Sequence, residues 1–202
     1  MPYDVLIIGG GAAGMSCALV LGSAQNKPCA SDKSIGIIIH QKASALQTGL
    51  FNNVLGLKPG TTGTEILSNG QEQLATIYPH VDQIRNEKVQ SLERAGNELI
   101  VVSNKNKYKA KTVVVAVGPS NLFNIKGLLQ YVEPHGKLPP QKERIQLLNI
   151  DHLVTKNIYV AGVLAGHRSQ FAIACGSGAS VATDILTGWN DGSHTMVHDK
   201  VE

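Results

Sequence analysis

The residues best suited to chemistry lie near the start of the chain, in the run Gly9-Gly10-Gly11-Ala12-Ala13-Gly14. This is a G-x-G-x-x-G pattern, in which the first glycine permits a tight turn and the second admits a pyrophosphate to the backbone. The third allows a helix to pack closely on a strand. Phosphates would then be bound by the free N–H groups and the positive dipole end of that helix. We therefore predict a dinucleotide site here, the alternative being a glycine-rich turn that only packs tightly.

The elements around this loop are the ones that the motif requires. Residues 3–8 are apolar and β-branched, which predicts a strand buried on both faces. Residues 14–22 predict a helix, and residues 35–40 predict a second buried strand. Together they form a βαβ unit within the first 40 residues of the chain.

The acidic residue that usually binds the ribose at the end of the second strand is absent. His40 stands there and Gln41 follows it. Either side chain can form a hydrogen bond to a ribose hydroxyl, but neither supplies a carboxylate. A 2′-phosphate would favour a cation, and Lys42 is the only one nearby in the sequence. We expect His40 and Gln41 to lie at the adenosine end of the bound nucleotide.

The rest of the chain alternates further strands with two helices. Residues 64–77 predict a helix with Thr64 as its N-cap, and residues 170–186 predict a helix rich in small side chains. Strands are predicted at residues 84–92, 98–103, 107–116 and 157–161. Residues 119–156 contain four prolines and show the least regular pattern.

Composition excludes several classes of protein. The chain has 202 residues, of which 43% are hydrophobic and 16% charged, and its net charge is +3. This is a globular composition, and the dispersed charges predict neither a nucleic-acid nor a membrane partner. No apolar run approaches the length of about 18 residues that indicates a membrane span. We expect a cytoplasmic protein, since the N-terminus also has no basic region of the signal-peptide type.

The cysteines fit neither a redox pair nor a metal site. Cys17, Cys29 and Cys175 are widely separated and form no C-x-x-C, so we predict no bound metal. Cys17 is expected in the core, on the sheet side of the first helix. Cys175 lies one turn into the final helix and has no basic neighbour in sequence that would lower the pKa of its thiol. His167 and Arg168 precede that helix and are interpreted as solvated loop residues, the alternative being that they lie at the mouth of the site and bind an anionic ligand.

Taken in order, four segments resemble the flavin-binding domain of thioredoxin reductase-like flavoproteins, in the pyridine nucleotide-disulfide oxidoreductase superfamily. They read GGGAAG, FNNVLGLKPG, TVVVAVGP and NIYVAGVLAGHRSQFAIACGSGASVA. The resemblance implies an α/β, Rossmann-like fold with a central parallel sheet and an added antiparallel β layer. It implies one FAD-binding domain over residues 1–187, with halves 1–118 and 145–187 joined by a short connection at 119–144. Residues 188–202 would form a C-terminal tail.

The resemblance also assigns residues to FAD. Those at the pyrophosphate are Gly9, Gly11, Ala12, Ala13 and Gly14. Those near the flavin or along the cofactor are Asn53, Ala116, Val117, Gly118, Gln170 and Phe171, and Val89 would meet the adenine through its backbone. Gly162 and Val163 stand where the family has Gly-Asp. Valine cannot replace that aspartate as a hydrogen-bond acceptor.

One part of the family pattern is missing from the sequence. In thioredoxin reductases, an NADPH-binding domain with the redox C-x-x-C interrupts the FAD domain after the strand that corresponds to residues 107–116. Here only residues 119–156 lie between the two halves, with no second glycine motif and no cysteine. The resemblance therefore implies an FAD-dependent oxidoreductase that is not a self-sufficient thioredoxin reductase. We expect its electrons to come from free NAD(P)H or a redox protein.

Two other functions stay open at this point. The chain could be a non-catalytic module that senses or stores a flavin or nucleotide, or an NAD(P)-binding Rossmann protein that uses its one glycine loop for nicotinamide. The related family is commonly dimeric, so the resemblance also implies a homodimer.

Overall fold

The computed structural model describes residues 1–40, 44 and 46–198, and these residues form twelve β-strands and three α-helices. The helices are α1 (Ala12–Ser23), α2 (Gly63–Ile77) and α3 (Phe171–Trp189). The strands are β1 (Tyr3–Ile8), β2 (Ile35–Ile39), β3 (Leu50–Phe51), β4 (Thr61–Thr62), β5 (Val81–Arg85), β6 (Val89–Ala95), β7 (Glu98–Ser103), β8 (Lys107–Val115), β9 (Val132–Pro134), β10 (Ile145–Leu147), β11 (Leu153–Thr155) and β12 (Ile158–Val160).

β1 lies at the centre of a parallel sheet with the order β12-β8-β1-β2-β5. Its side chains alternate between two apolar layers, as a strand buried on both faces requires. Val5 and Ile7 pack towards α1 and α3, whereas Leu6 and Ile8 pack in the core on the opposite face. β11 extends the sheet as an antiparallel strand beside β12.

The helical layer consists mainly of α1 and α3, which lie against each other on one face of the sheet. Small residues allow a very close approach between them. A β-carbon added at Gly178 of α3 would lie 1.9 Å from the backbone oxygen of Ala13 in α1. The two helices therefore pack backbone against backbone at this point.

The opposite face of the sheet is covered by an antiparallel meander of β6, β7 and β8. β8 belongs to both layers: its first residues pair with β7, and its last residues pair with β1 and β12. The connection between β8 and β12 packs in the same layer through Ile125, Leu128 and Leu147, all of them buried. The predicted α/β architecture with an added antiparallel layer is therefore observed.

Two local predictions were wrong. Residues 84–92 do not form one strand, because β5 ends at Arg85 and β6 begins at Val89, with Asn86 at a φ of +61° between them. The N-cap of α2 is Thr62 rather than Thr64. The Thr62 hydroxyl accepts from the N–H of Glu65, and the Glu65 carboxylate accepts from the N–H of Thr62 at 2.7 Å. This is a capping box, which satisfies two otherwise unpaired donors.

α3 extends three residues past its predicted end, to Trp189. Within the described ranges 1–40, 44 and 46–198, it is the one helix long and apolar enough to cross a membrane by length and composition. A core helix passes the same test. α3 buries Val181, Ala182, Ile185 and Leu186 in the core beside the sheet, so its composition is explained by packing.

The contact between α1 and α3 predicts opposite effects for two glycines of the same helix. Gly178→Ala is expected to lower the free energy of unfolding by about 1–3 kcal/mol, because the new methyl group would overlap the backbone of Ala13. In Gly176→Ala the new methyl group meets no atom within 4 Å, so this variant should raise the free energy of unfolding by up to about 1 kcal/mol through helix propensity. Urea unfolding of the two variants measures both values. Equal effects would contradict the close contact.

Candidate cofactor-binding site

The three motif glycines of the loop between β1 and α1 differ in what surrounds them. Gly9 has a φ of +112°, and a β-carbon there would lie 2.5 Å from the Ala116 carbonyl oxygen. A β-carbon at Gly14 would lie 1.8 Å from the Gly9 carbonyl oxygen. Around Gly11, in contrast, nothing lies within 4 Å of that position. The first and third glycines are thus required by the fold, and the second faces open space, where a pyrophosphate would approach.

The N-terminus of α1 opens into the same space. Gly11 is the N-cap, no side chain caps the helix, and its first turn carries no acidic residue. The first N–H groups of an α-helix have no partner within the helix. This end of α1 therefore offers backbone donors and partial positive charge, which suit a phosphate group.

Four parallel strands end along the edge of the sheet that carries this loop. The Gly9 N–H donates to the carbonyl oxygen of Ile38 at 2.9 Å, and the Ala116 N–H donates to the carbonyl oxygen of Ile8 at 2.8 Å. The Ala161 N–H donates to Val115 at 2.9 Å, so β1, β2, β8 and β12 all end along one edge of the sheet. In open α/β sheets, ligands bind outside this carboxyl edge.

The residues after β8 and β12 come next to the glycine loop. Val117 is exposed, and Gly118 has a φ of +81° with no atom near its β-carbon position. Gly162 has a φ of +77°, and a β-carbon there would lie 2.9 Å from the β-carbon of Ala13. Val163 follows it in a short 3-10 turn. The structure therefore brings Gly9, Gly11–Gly14, Ala116–Gly118 and Gly162–Val163 together.

The start of α3 is held by two contacts. The side-chain oxygen of Gln170 accepts from the N–H of Ile173 at 2.9 Å, so this amide caps the helix. The Phe171 ring packs on Phe51 of β3, with 5.3 Å between ring centroids. Asn53 is exposed in the turn that follows β3, so the aromatic pair links its segment to the helix.

The three remaining predicted residues differ in where they lie. Val89 begins β6, and its side chain is buried in the core on the sheet face opposite α1. His40 follows β2 and is exposed at the same edge as the glycine loop. Gln41 lies outside the residues that the structure describes.

Sequence reasoning missed a histidine–serine cluster, formed by His135, His152, His167 and Ser177. The Nε2 atom of His152 lies 3.0 Å from His167 Nε2 and 3.0 Å from Ser177 Oγ. Ser177 is buried, and its hydroxyl accepts from the Gly162 N–H at 2.8 Å. The interpretation of His167 as a solvated loop residue was wrong, because its ring is partly buried against His152.

Burial lowers the pKa of both His152 and His167 below the ordinary histidine value. At His167, electrostatic interaction with the basic groups of His152, Lys137 and His135 lowers the pKa further. At His152, the carboxylates of Asp184 and Asp151 act in the opposite direction without reversing the shift. Both imidazoles are therefore neutral at neutral pH.

The three cysteines are free thiols that are wholly or partly buried. Cys17 is fully buried in the core beside the sheet, as predicted. Cys175 is partly buried, and burial raises the pKa of its thiol to about 11, so the nucleophilic thiolate is scarce at neutral pH. Within residues 1–40, 44 and 46–198, no three His, Cys, Asp or Glu side chains are arranged to hold a metal ion.

Comparison with known proteins identifies the family. The sequence pattern of the family described as pyridine nucleotide-disulphide oxidoreductase matches residues 3–181. The chain belongs to this family. It is 28% identical to a ferredoxin–NADP reductase of Leuconostoc citreum over 186 residues, which cover 92% of this chain and 48% of that protein. It is 30% identical to ferredoxin–NADP reductase 1 of Bacillus cytotoxicus over 162 residues, 75% of this chain and 40% of that protein.

The chain spans about half the length of these two curated relatives, or less. Solved structures share its fold. An oxidoreductase from Agrobacterium tumefaciens superposes with a TM-score of 0.71 at 15% identity, covering 96% of this chain and 100% of that one. A thioredoxin reductase from Gloeobacter violaceus gives the same TM-score and identity, covering 100% of this chain and 99% of that one. The resemblance and fold class inferred from the sequence are confirmed.

The lowered pKa values predict how stability depends on pH. In the unfolded chain, His152 and His167 take up protons near pH 6.5, whereas in the folded protein they do so only at lower pH. The unfolded state then binds more protons in this window, so the free energy of unfolding falls as the pH drops below about 6.5. Denaturant unfolding between pH 7.5 and pH 5 measures the slope.

A double variant, His152→Asn with His167→Gln, should show a flatter dependence over the same range. His194→Gln, which changes an exposed histidine outside the cluster, should keep the original slope. A double variant with an unchanged slope would contradict the assignment.

Proposed function

We propose that this chain binds FAD non-covalently and acts as a thioredoxin reductase-like flavoprotein in electron transfer. One observation carries the proposal: within the glycine motif, the β-carbon positions of Gly9 and Gly14 are blocked by backbone, while that of Gly11 faces open space. A turn that only packed tightly would have no need of an open second glycine. The open position suits a ligand whose pyrophosphate approaches the backbone.

The pyrophosphate end of FAD fits the residues present. Gly9, Gly11, Ala12, Ala13 and Gly14 would hold it through backbone N–H groups at the uncapped N-terminus of α1. Neither His40 nor Val163 supplies a carboxylate to the cofactor. Binding in this proposal therefore rests on the backbone rather than on acidic side chains.

The flavin end would lie towards α3. Residues 116–118 and the Gly162–Val163 turn border the route from the glycine loop, and Gln170 and Phe171 begin the helix. The N-terminus of α3 would place partial positive charge beside the ring. FAD supplies the electron-transfer chemistry when bound, and these residues bind and orient it. Asn53 would approach from the segment that the Phe51–Phe171 contact secures.

We further propose that the electrons come from outside this domain. Residues 119–156 hold no second glycine motif and no cysteine, and the described structure forms only short strands and turns there. Relatives are named ferredoxin–NADP reductases and thioredoxin reductase, which points to free NAD(P)H or a redox protein as the donor. A cytoplasmic location and a homodimer stay predictions on which this function does not depend.

The test is a substitution that blocks the cofactor without disturbing the fold. Gly11→Ala meets no protein atom, so we expect the protein to stay folded without added FAD, with a thermal midpoint lowered only by the poorer N-cap that alanine provides. Its methyl group would occupy the pyrophosphate space, and we expect FAD affinity to fall about tenfold or more, equal to about 1.4 kcal/mol. Titration followed by flavin fluorescence measures the affinity. Gly176→Ala, also in open surroundings but on α3, is the control and should bind FAD normally.

Three results would contradict the proposal in different ways. A colourless protein that cannot be reconstituted with FAD excludes the flavoprotein, and binding of NAD(P) by that protein favours the nicotinamide alternative. A yellow protein that resists NAD(P)H and reduced redox proteins under anaerobic conditions favours the sensing module. Bleaching by either reductant supports electron transfer.

A further inference from the structure

The turn between β12 and α3 is held from two sides by side chains of the histidine–serine cluster. The Gly162 N–H donates to Ser177 Oγ at 2.8 Å, and His135 Nε2 lies 3.0 Å from the Val163 carbonyl oxygen. A carbonyl only accepts, so His135 donates through Nε2. Its Nδ1 accepts from the Lys137 N–H at 3.1 Å, which fixes the same neutral tautomer. The Gly162 N–H and the Val163 carbonyl oxygen therefore each have a side-chain hydrogen-bond partner.

His152 reaches the cluster from a strained turn. Asp151 and His152 have φ values of +46° and +69°, a region that non-glycine residues seldom adopt. Hydrogen bonds between Ile150 and Leu153 in both directions close this turn. Asn149 also binds the His152 N–H through its side-chain oxygen at 3.1 Å. Such strain persists only where the surroundings enforce it, and it is concentrated at functional positions.

The contact between the two imidazoles needs one shared proton. His152 Nε2 and His167 Nε2 are 3.0 Å apart, so one must donate and the other accept. When both nitrogens carry a proton, two N–H groups face each other and the contact is lost. Ser177 Oγ, 3.0 Å from the same His152 nitrogen, depends on that ring staying in place.

The turn that this cluster holds borders the cofactor site. A β-carbon at Gly162 would lie 2.9 Å from Ala13, whose N–H belongs to the first turn of α1. A small displacement of the turn therefore moves it against the N-terminus of α1. Ser177 is buried on α3, one face of which packs on α1, so the cluster connects the three elements.

We propose that Ser177 and His152 are positioning residues, which hold the Gly162–Val163 turn in the conformation that cofactor binding requires. The inference rests on the proposed FAD function for its ligand. It concerns residues that act through the turn rather than by touching the cofactor.

The charged groups around the cluster determine its response to acid. Asp151 and Asp184 face His152, and Tyr159 lies near Asp184 on the neighbouring strand. Lys137 and His135 face His167 from the connection. The two carboxylates favour protonation of His152, while the two basic groups oppose protonation of His167. Protonation of both rings in acid removes the hydrogen bond between them, so we expect the His152 ring to shift and the turn to loosen as the pH falls below the ordinary histidine range.

The experiment compares Ser177→Ala and His152→Asn with two controls. Asparagine tolerates a positive φ, so His152→Asn removes the imidazole without adding backbone strain. Ser180→Ala makes the same change at an exposed serine of α3, and His194→Gln changes an exposed histidine. The first readout is hydrogen exchange of the Gly162 amide in the FAD-free protein. We expect the Gly162 amide to exchange about tenfold faster in both test variants, since a lost buried hydrogen bond is worth about this factor. In the two controls, its exchange rate should be unchanged.

The second readout is the rate at which bound FAD dissociates, measured by flavin fluorescence between pH 7.5 and pH 5. We expect about tenfold faster release from the test variants at pH 7.5, with less further acceleration in acid than in the unchanged protein. Unchanged Gly162 exchange overturns the inference, and so does faster exchange with unchanged FAD release. A protein that binds no FAD contradicts the proposed function instead, and the exchange readout then still decides whether the cluster holds the turn.

Discussion

The whole site depends on the close approach of three backbone segments around the first turn of α1. The loop after β1, the turn after β12 and the middle of α3 all reach Ala13 or Gly14 at distances that leave no room for another side chain. This packing brings α1 to the carboxyl edge of the sheet, with its N-terminus open. The same close packing explains why small residues dominate α3, whose composition on its own resembles that of a membrane-spanning helix. Backbone contact, more than side-chain chemistry, shapes this protein.

The connection between β8 and β12 is part of the core rather than a spacer. It buries Ile125, Leu128 and Leu147, and Lys126 exchanges backbone hydrogen bonds with β6. It also supplies His135 and His152 to the cluster beside the Gly162–Val163 turn. A segment that the sequence marks only by its prolines thus contributes buried packing to the core and two histidines to the cluster. Its role follows from the layer it covers, which no local pattern reveals.

The sequence predicted best where a pattern had only one physical explanation. β1 was predicted residue for residue because a mostly apolar, β-branched run followed by glycines fits a strand buried on both faces. The glycine motif likewise has a distinct steric reason at each position. The boundary between β5 and β6 was missed because the turn at residues 86–88 contains neither glycine nor proline. The capping box of α2 was readable, since Thr62 and Glu65 have the required spacing. His152, His167 and Ser177 come together only through tertiary packing, so spacing could not reveal their contact.

β8 has a consequence for how the molecule holds together. Its nine residues span about 30 Å, and they form the edge of the meander at one end and an inner strand of the parallel sheet at the other. Neither layer can unfold without disrupting β8, which the other layer also contains. We therefore expect the antiparallel layer to unfold together with the parallel sheet, without a melting transition of its own. Loss of either layer removes the sheet edge that carries the glycine loop, so we expect the two layers to unfold in one cooperative step.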